Sequence, residues 1–387
     1  MNAFIFNTAK SIINKAGAAS KLAGVCQELG IKRPIIVTDP GIIYHGLHEK
    51  AVASFDAAFM EYCVFTKVQA DPTDTIVLDA IAAAREGGAD GVVGFGGGSS
   101  MDVAKLVAVL LNSDQQLDDI YGVGNIKGGR LPLIQVPTTA GTGSEVTTVS
   151  VITISDSEKK GVVSPVLIPD VALLDPELTL GLPPQVTAAT GIDAMVHAIE
   201  AYTSLLRKNP YSDMLAREAL QLLSRNIETA VHQGHDLEAR SAMLFGATLA
   251  GQAFANAPVA AVHALAYPLG SFYHIPHGLS NSLVLPHVMR FNLSEAASLY
   301  AEIAPCIIQD EALLKGSDRQ VAENLVDYLV ALIHRLDLPS TLKAVDVTED
   351  SLPMLADAAM LQQRLLVNNP RTLSREDALQ IYQQAYA

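Results

Sequence analysis

The stretch GIDAMVHAIEAY, residues 191–202, places an aspartate and a histidine among small and apolar residues. If the stretch is helical, Asp193 and His197 share one face, because residues four apart lie one helical turn from each other. Carboxylate oxygen and imidazole nitrogen are ligands for divalent ions such as iron(II) or zinc. For this pair alone, a structural Asp–His hydrogen bond in the core is the simpler explanation.

More histidines follow in PVAAVHALAYPLGSFYHIPHGLSN, which starts at residue 258. We expect a short apolar helix that carries His263 and ends at Pro268, and we expect His277 in a Pro-His-Gly turn. One aspartate and three histidines together predict a divalent metal site, and the absence of thiolate ligands argues against a structural zinc site. The alternatives for the downstream ligands are His274 and His287.

A glycine-rich stretch, GVVGFGGGSSMDVAK, could hold a phosphate group. It reads as an apolar strand, then three glycines and two serines, then a helix that starts near Met101. Without side chains, Gly96, Gly97 and Gly98 let backbone N–H groups approach an anion, and the N-terminus of the helix adds its partial positive charge. A tight strand-to-helix turn with no ligand is the alternative.

A second loop, VPTTAGTGSEVTT at 136–148, collects hydroxyl groups around two glycines. The hydroxyls of Thr138, Thr139, Thr142 and Ser144 suit a pyrophosphate or a ribose. Taken alone, the stretch is more often a polar loop than a binding loop.

Asp39 is a third candidate for cofactor binding, since it ends the strand-like segment PIIVTD. A carboxylate there can accept hydrogen bonds from ribose hydroxyls and repel a 2′-phosphate, which favours NAD over NADP. A turn before Pro40 explains the residue equally well. Asp39 precedes the glycines instead of following them, so the pattern is not the G-x-G-x-x-G fingerprint of a standard Rossmann domain.

The chain changes character near LGLPPQ, residues 180–185. Before it, short β-branched runs alternate with helical patterns, which predicts a largely parallel sheet; the runs are PIIVTD (34–39), GVVGF (91–95), LPLIQVP (131–137) and VALLD (171–175). After it, Ala- and Leu-rich stretches with a 3.6-residue period predict helices, for example at 212–231. We therefore expect an α/β domain at 1–182 and an all-helical domain at 183–387.

Composition narrows the class of partner. The 387 residues carry a formal net charge of −15, and nucleic acids and anionic membranes both favour a basic protein surface. The N-terminal apolar run ends at Asn7, too early for a signal peptide, and no stretch is long and apolar enough to span a membrane. The three cysteines, Cys26, Cys63 and Cys306, are odd in number, widely separated and form no C-x-x-C motif. We therefore expect reduced thiols and neither a disulfide framework nor a zinc site. These features indicate a cytoplasmic protein with a small-molecule substrate.

Four segments resemble the iron-containing alcohol dehydrogenases in order and spacing, and the resemblance covers essentially the whole chain. They are GGGSSMDVAK, PTTAGTGSEVT, LLDPELTLGLPPQVTAATGIDAMVHAIEAY and PHGLSNSLVLPHVMRFN. The resemblance implies an N-terminal dinucleotide-binding α/β domain, a C-terminal helical metal-binding domain of dehydroquinate synthase-like fold, and an active site in the cleft between them. It also implies at least a homodimer, in which the segments AFIFN and SIIN pair with a second subunit.

The resemblance implies roles for individual residues. Iron(II), or zinc in its place, would bind to Asp193, His197, His263 and His277. In addition to Asp39, which was proposed above from its position, the resemblance implies further NAD-binding residues. They are Gly97, Gly98, Ser99, Asp102, Thr138, Thr139, Thr142, Thr147 and Lys160.

The sequence departs from the family pattern at two positions, and a third position belongs to the expected substrate pocket. Tyr267 stands where many members carry a further histidine, four residues after His263. The common Asn-Pro-Thr of the first domain is Asp-Pro-Thr here, with Asp71. Phe254 stands where members often place an aromatic wall of the substrate pocket, although core packing explains it equally well.

The implied reaction is reversible hydride transfer between NAD(H) and a primary alcohol or its aldehyde, with the metal polarising the substrate oxygen. One alternative is a metal- and NAD-dependent cyclase or lyase resembling dehydroquinate synthase. Such an enzyme needs clustered basic residues for an anionic substrate, and residues 183–290 offer only scattered ones such as Arg207, Lys208 and Arg217. Another alternative is a catalytically silent nucleotide-sensing protein, against which the complete ligand set argues.

Overall fold

The computed structural model describes residues 3–154 and 158–387. The chain divides into two compact units between Leu180 and Gly181, and residues 3–6 belong with the second unit. The boundary expected from the sequence, after residue 182, lies close to this division. The roles expected for the two domains stay predictions at this level.

The first unit is an α/β structure. Its strands in the described residues are β1 (Ser11–Asn14), β2 (Pro34–Val37), β3 (Cys63–Phe65), β4 (Gly91–Gly96), β5 (Gly122–Val123), β6 (Leu133–Pro137), β7 (Val149–Ile154), β8 (Glu158–Val163) and β9 (Val171–Leu174). Its helices are α1 (Leu22–Glu28), α2 (Pro40–Tyr44), α3 (Glu49–Ala57), α4 (Asp74–Glu86), α5 (Gly98–Leu110) and α6 (Leu117–Ile120).

Six of these strands form one parallel sheet in the order β1-β9-β6-β4-β2-β3. Ile35 and Val37 of β2 join one apolar core, and Ile36 between them joins the core on the other face. Burial on both faces explains why the central strands read as continuous apolar runs, and the four strands expected from those runs are confirmed.

A smaller sheet, β5-β8-β7, was not expected from the sequence. Its strands β7 and β8 are antiparallel and join Val149–Ile154 to Glu158–Val163. The sequence of this segment, with its polar run SDSEKK, lacks the apolar–polar alternation over two strands that would have predicted a hairpin. Residues 155–157 lie outside the described part of the chain.

The helix after the glycines begins at Gly98, with Gly97 as its N-cap, so the expected start near Met101 was three residues late. The register of the sheet places Gly96 of β4 beside Pro137 of β6. The two loops that follow these strands therefore leave neighbouring carboxyl ends of the sheet.

All the regular secondary structure in the described residues of the second unit is helical, as expected. Its helices are α7 (Pro184–Thr203), α8 (Pro210–His232), α9 (Leu237–Asn256), α10 (Ala261–Tyr273), α11 (His277–Ile307), α12 (Asp318–Arg335), α13 (Leu352–Met360), α14 (Gln363–Leu366) and α15 (Arg375–Tyr386). Short 3-10 turns connect several of them. Among the described residues, no helix combines the length and the apolarity that crossing a membrane requires.

Two local expectations in this unit were wrong. Pro268 does not end the helix that carries His263, because α10 continues through it to Tyr273. Leu265 and Leu269 on this helix are fully buried, and their packing outweighs the backbone hydrogen bond that a proline removes. His277 is the first residue of the long helix α11, whereas a turn was expected.

The N-terminal segments also differ from expectation. Residues 3–7 are not a strand, and the rings of Phe4 and Phe6 pack against the ring of Tyr211. The segment SIIN is strand β1, which pairs with β9 of the same chain at an edge of the sheet. Pairing within the chain satisfies one side of β1, so this side is not available to a second subunit.

Candidate functional site

Helix α7 carries Asp193 and His197 on one face, as their spacing predicts. Both side chains are buried, and Oδ1 of Asp193 lies 3.9 Å from Nε2 of His197. This distance exceeds that of a hydrogen bond. The structural Asp–His hydrogen bond that could have explained the pair is therefore not formed between these atoms.

Two other helices bring histidines to the same place. His263 lies in the first turn of α10, and His277 begins α11. Their Nε2 atoms lie 3.9 and 3.6 Å from Oδ1 of Asp193. Together with His197, one donor atom from each of the four side chains lies within 4.8 Å of the other three. Three imidazole nitrogens and one carboxylate oxygen at this spacing fit a divalent cation such as iron(II) or zinc.

Gly278 sets the distance between the two helices that carry Asp193 and His277. A Cβ atom on Gly278 would lie 2.4 Å from the carbonyl oxygen of Ala189 and 3.3 Å from Cβ of Asp193. The first of these atoms belongs to the backbone of α7, which cannot move aside as the end of a side chain can. The absence of a side chain at 278 thus allows His277 to approach Asp193.

Glu200 supports the cluster, and our reasoning from the sequence missed it. One carboxylate oxygen, Oε2, lies 2.6 Å from Nδ1 of His263, and the other accepts a hydrogen bond from the backbone N–H of Val262 at 2.7 Å. The carboxylate places the proton of His263 on Nδ1 and leaves Nε2 free to face the other donor atoms. Its spacing was a usable signal, because residues 193, 197 and 200 lie on one face of a helix.

Asn281 is a second residue that the sequence did not reveal. It lies one turn after His277 on α11, and its Nδ2 donates a hydrogen bond to Oδ1 of Asp193 at 2.6 Å. Burial opposes ionisation of Asp193, but the imidazoles of His197, His277 and His263 and the amide of Asn281 favour the carboxylate. The pKa of Asp193 therefore lies below its ordinary value, and the residue is a carboxylate at neutral pH.

Two aromatic side chains border the cluster. The ring of Phe254 stacks on the ring of His197, with centroids 4.4 Å apart and an interplanar angle of 22°. The ring centroid of Tyr267 lies 5.9 Å from that of His277. Tyr267 lies inside α10 and not at its end, so packing at a helix terminus does not explain it.

The rival histidines lie outside the cluster. His274 is exposed and ends α10 in a left-handed conformation, with φ of 53°. His287 lies further along α11, where burial, followed by the charge of Arg290, lowers its pKa to about 4. A neutral imidazole could bind a metal, but among the described residues His287 belongs to no group of three or more potential metal ligands.

The candidate cofactor residues follow the carboxyl ends of three adjacent strands. Asp39 follows β2, Gly97 follows β4 and Thr138 follows β6. The backbone N–H of Thr138 donates a hydrogen bond to the carbonyl of Gly96 at 3.0 Å, which joins the two loops. In open α/β sheets, ligands bind outside the carboxyl ends of the strands.

The threonine loop packs directly on the glycine turn. A Cβ atom on Gly98 would lie 2.9 Å from Cγ2 of Thr142, and one on Gly97 would lie 3.7 Å from Oγ1 of Thr139. The backbone N–H groups at the start of α5, which includes Ser99, thus lie beside threonine hydroxyls. Donors of this kind suit the oxygens of a pyrophosphate.

Asp39 caps helix α2. Its Oδ1 accepts hydrogen bonds from the backbone N–H groups of Gly41 and Ile42 at 2.9 and 3.1 Å. Its Oδ2 accepts a hydrogen bond from the hydroxyl of Ser100 at 3.3 Å. The carboxylate thus has a structural role, and its expected contact with a ribose stays a prediction.

Three other expected cofactor residues make contacts within the first unit. The carboxylate of Asp102 accepts a hydrogen bond from the hydroxyl of Ser144, and the hydroxyl of Thr147 accepts one from Nζ of Lys105. Nζ of Lys160 lies 5.3 Å from the ring centroid of Tyr121. Asp71, at the departure from Asn-Pro-Thr, pairs with Lys159 at 2.6 Å, so this position makes an ion pair within the chain.

Two family models match the chain in succession. The model described as iron-containing alcohol dehydrogenase matches residues 9–176, and the model described as the C-terminal part of the Fe-containing alcohol dehydrogenase family matches residues 187–386. This chain belongs to the iron-containing alcohol dehydrogenase family. The resemblance inferred from the four motifs is confirmed.

Individual relatives cover nearly the whole chain. The long-chain-alcohol dehydrogenase 1 of Geobacillus thermodenitrificans is 40% identical over 374 residues, which are 96% of this chain and 94% of that protein. The crystal structure of a 1,3-propanediol oxidoreductase is 34% identical, covers 100% of both chains and has a TM-score of 0.96. The structure of sulfoacetaldehyde reductase from Bifidobacterium kashiwanohense in complex with NAD⁺ is 30% identical, covers 100% of both chains and has a TM-score of 0.88.

Membership of this family establishes the class of reaction. The chain is an oxidoreductase that acts between alcohols and aldehydes, and its fold is that of the iron-containing alcohol dehydrogenases. The comparisons support this function over a dehydroquinate synthase-like cyclase and over a silent nucleotide sensor.

Proposed function

We propose that this iron-containing alcohol dehydrogenase family member transfers a hydride reversibly between NAD(H) and a primary alcohol or aldehyde, with a divalent metal bound to Asp193, His197, His263 and His277. The observation that carries the proposal is the convergence of these four donor atoms within 4.8 Å. When bound, the metal supplies Lewis-acid polarisation of the substrate oxygen, and the nicotinamide supplies or accepts the hydride.

The protein's own contribution is to place and orient these groups. Glu200 fixes the ring of His263, and Asn281 fixes the carboxylate of Asp193, so the ligand atoms are held before the metal arrives. Preorganised ligands lose little freedom on binding. We infer iron(II) as the metal, since the donor set and the family both support it, with zinc as the main competitor.

We infer NAD binding by Asp39, by the start of α5 at Gly97, Gly98 and Ser99, by Thr138, Thr139 and Thr142 of the threonine loop, and by Lys160. The structure of the sulfoacetaldehyde reductase in complex with NAD⁺ supports this cofactor. Asp102 and Thr147 belong to the same set, and we assign them to the support of the loops.

We place the substrate beside the exposed edge of the metal cluster. His277 is the most exposed of the four side chains, with 35% of its surface accessible, while Asp193, His197 and His263 are each 5% accessible or less. Tyr267 borders His277 and Phe254 borders His197. We therefore infer that Tyr267 and Phe254 contact the substrate.

We also infer a cytoplasmic homodimer. Strand β1 lies at the edge of the six-stranded sheet, and its unpaired backbone groups can pair with a second chain. The cytoplasmic location is supported by the three cysteines, which are free thiols. Burial, followed by the charge of Asp90, raises the pKa of Cys26 to about 12. Light scattering at micromolar concentration tests the dimer, and a stable monomer would contradict it.

The decisive experiment measures metal content and activity together. Protein stripped with a chelator is reloaded with iron(II), zinc or no metal, and each form is assayed with a panel of short and long primary alcohols and NAD or NADP. We expect NAD-dependent oxidation only in the metal-loaded forms. Equal turnover by the stripped and the loaded protein would contradict the proposed metal site.

A further inference from the structure

Lys105 is the one lysine that is fully buried among the residues that the structure describes. It lies on α5, two turns after the glycine turn at Gly97 and Gly98. A buried ammonium group is costly unless its protons are all paired, so its partners indicate what it does.

The three hydrogen-bond acceptors of Lys105 lie in one segment, residues 144–149. Its Nζ donates to the hydroxyl of Ser144 at 2.7 Å, to the hydroxyl of Thr147 at 2.9 Å and to the carbonyl oxygen of Val149 at 2.7 Å. An ammonium group has three protons, and each of them has an acceptor here. This segment follows directly after Thr142 in the threonine loop.

Asp102, one turn earlier on α5, binds the same segment with the opposite charge. Its Oδ1 accepts a hydrogen bond from the hydroxyl of Ser144 at 2.6 Å, and its Oδ2 accepts one from the backbone N–H of Val151 at 2.9 Å. Nζ of Lys105 lies 3.5 Å from Oδ1 of Asp102. We call Asp102, Lys105, Ser144 and Thr147 the loop clasp.

We propose that Lys105 is a positioning residue for the dinucleotide, which acts by holding the threonine loop against the glycine turn through the loop clasp. The inference rests on the proposed NAD binding and adds a residue to which no binding role has been assigned above. It also gives Asp102 and Thr147 an indirect part, because their side chains bind Ser144 or Lys105.

The loop clasp is suited to this task because it contains an opposite-charge pair and three buried members, Lys105, Ser144 and Thr147. Burial lowers the pKa of Lys105, while the carboxylates of Asp102 and Glu145 oppose this effect and favour the ammonium form. A Cβ atom on Gly98 would lie 2.9 Å from Cγ2 of Thr142, so the threonine loop lies close to the start of α5. A small shift of the segment would therefore move its hydroxyls away from the backbone donors of α5. Orientation of this kind determines how tightly a cofactor binds.

The test replaces Lys105 with methionine, which keeps the apolar stem and removes the ammonium group. We expect the Kd of NADH, measured by fluorescence titration, and the KM of NAD to rise about 10-fold or more, as for the loss of one strong hydrogen bond. Metal content and kcat at saturating NAD should be unchanged. Lys50→Met is the matched control, because Lys50 pairs with Glu177 in the same unit but is 61% exposed.

A second variant covers the case in which Lys105→Met does not fold. Ser144→Ala removes one hydroxyl that both Lys105 and Asp102 bind, and it should raise the Kd of NADH without changing metal content. The effects of the two substitutions on the Kd should be less than additive, because they break one network. Unchanged NADH binding in Ser144→Ala and in folded Lys105→Met would overturn the inference, whereas failure of the wild type to bind NADH would overturn the proposed function and the inference with it.

Discussion

Oε2 of Glu200 lies 2.6 Å from Nδ1 of His263, and the same carboxylate accepts a hydrogen bond from the backbone N–H of Val262. One side chain of α7 thereby fixes both the start of α10 and the ring that this helix contributes to the cluster. Both oxygens of Glu200 are used, and both partners are buried. The ring of His263 is held in one orientation and one tautomer, with Nε2 directed at Asp193.

Glu200→Gln should lower the metal affinity of the protein about 10- to 100-fold, since a glutamine has one acceptor where two are needed. A competition titration of the metal-stripped protein with zinc or cobalt measures this Kd directly. Glu302→Gln is the control, because Glu302 accepts a hydrogen bond from Tyr202 in the same unit at 2.6 Å and lies outside the cluster. Equal metal affinity in Glu200→Gln and the wild type would show that Glu200 does not orient the ligand.

His263→Ala and His277→Ala should each abolish stoichiometric metal binding and turnover while the protein stays folded. The helices that carry these residues have their own buried apolar faces, for example Leu265 and Leu269 of α10. Metal analysis and circular dichroism of the purified variants check both statements. His274→Ala, three residues before His277, is exposed and should retain the metal. Full metal content in either ligand variant would refute the ligand assignment.

Gly278→Ala should weaken metal binding even though no ligand is changed. The added Cβ would lie 2.4 Å from the carbonyl oxygen of Ala189, so α11 must move away from α7. Overpacking of this kind costs about 1 to 3 kcal/mol of unfolding free energy. Gly181→Ala, where nothing lies within 4 Å of the new atom, is the control. A variant with unchanged metal affinity and unchanged Tm would contradict the role of Gly278.

Helical spacing alone predicted that Asp193 and His197 share one face of a helix, and the structure confirms this placement. The sequence did not allow the course of α10 to be predicted, because Pro268 normally ends a helix and only the burial of its neighbours decides otherwise. The same helical spacing could have predicted that Glu200 lies on the face that carries Asp193 and His197. Asn281 could not be predicted in this way, because its partner Asp193 is distant in sequence and lies on another helix.

For the candidate cofactor loops too, local sequence patterns could be interpreted, whereas contacts between residues distant in sequence could not. Glycines and threonines after apolar strands predict binding loops, and the parallel order of β2, β4 and β6 then brings these loops together. The loop clasp could not be predicted, because a lysine within GGGSSMDVAK gives no sign of being buried. Its partners Ser144 and Thr147 lie 39 and 42 residues later in the sequence, so local pattern does not connect them to Lys105.

Asp39→Asn should relax the preference for NAD over NADP and leave the fold unchanged. Two unscreened negative groups at contact distance cost on the order of 1 to 4 kcal/mol, so removal of the carboxylate charge should raise kcat/KM with NADP. Asparagine caps a helix as well as aspartate does, so the hydrogen bonds to Gly41 and Ile42 can be kept. Asp39→Gly removes both the charge and the cap, and comparison of the two variants separates these effects. A wild-type enzyme that is faster with NADPH than with NADH would contradict the expected role of Asp39.

Tyr267→Phe tests whether the phenol hydroxyl beside His277 takes part in catalysis or only fills space. Tyr267 lies one turn after His263 on α10, and its ring is 5.9 Å from that of His277, so the hydroxyl can orient the substrate or a water molecule. We expect kcat/KM to fall about 10- to 100-fold, which corresponds to a hydrogen bond of about 1.5 to 3 kcal/mol, with metal content unchanged. Tyr273→Phe on the same helix is the control, because the hydroxyl of Tyr273 meets Oγ1 of Thr348 at 3.1 Å and lies outside the cluster. A Tyr267→Phe enzyme with the rate and the pH profile of the wild type would show that the ring, and not its hydroxyl, is what the site requires.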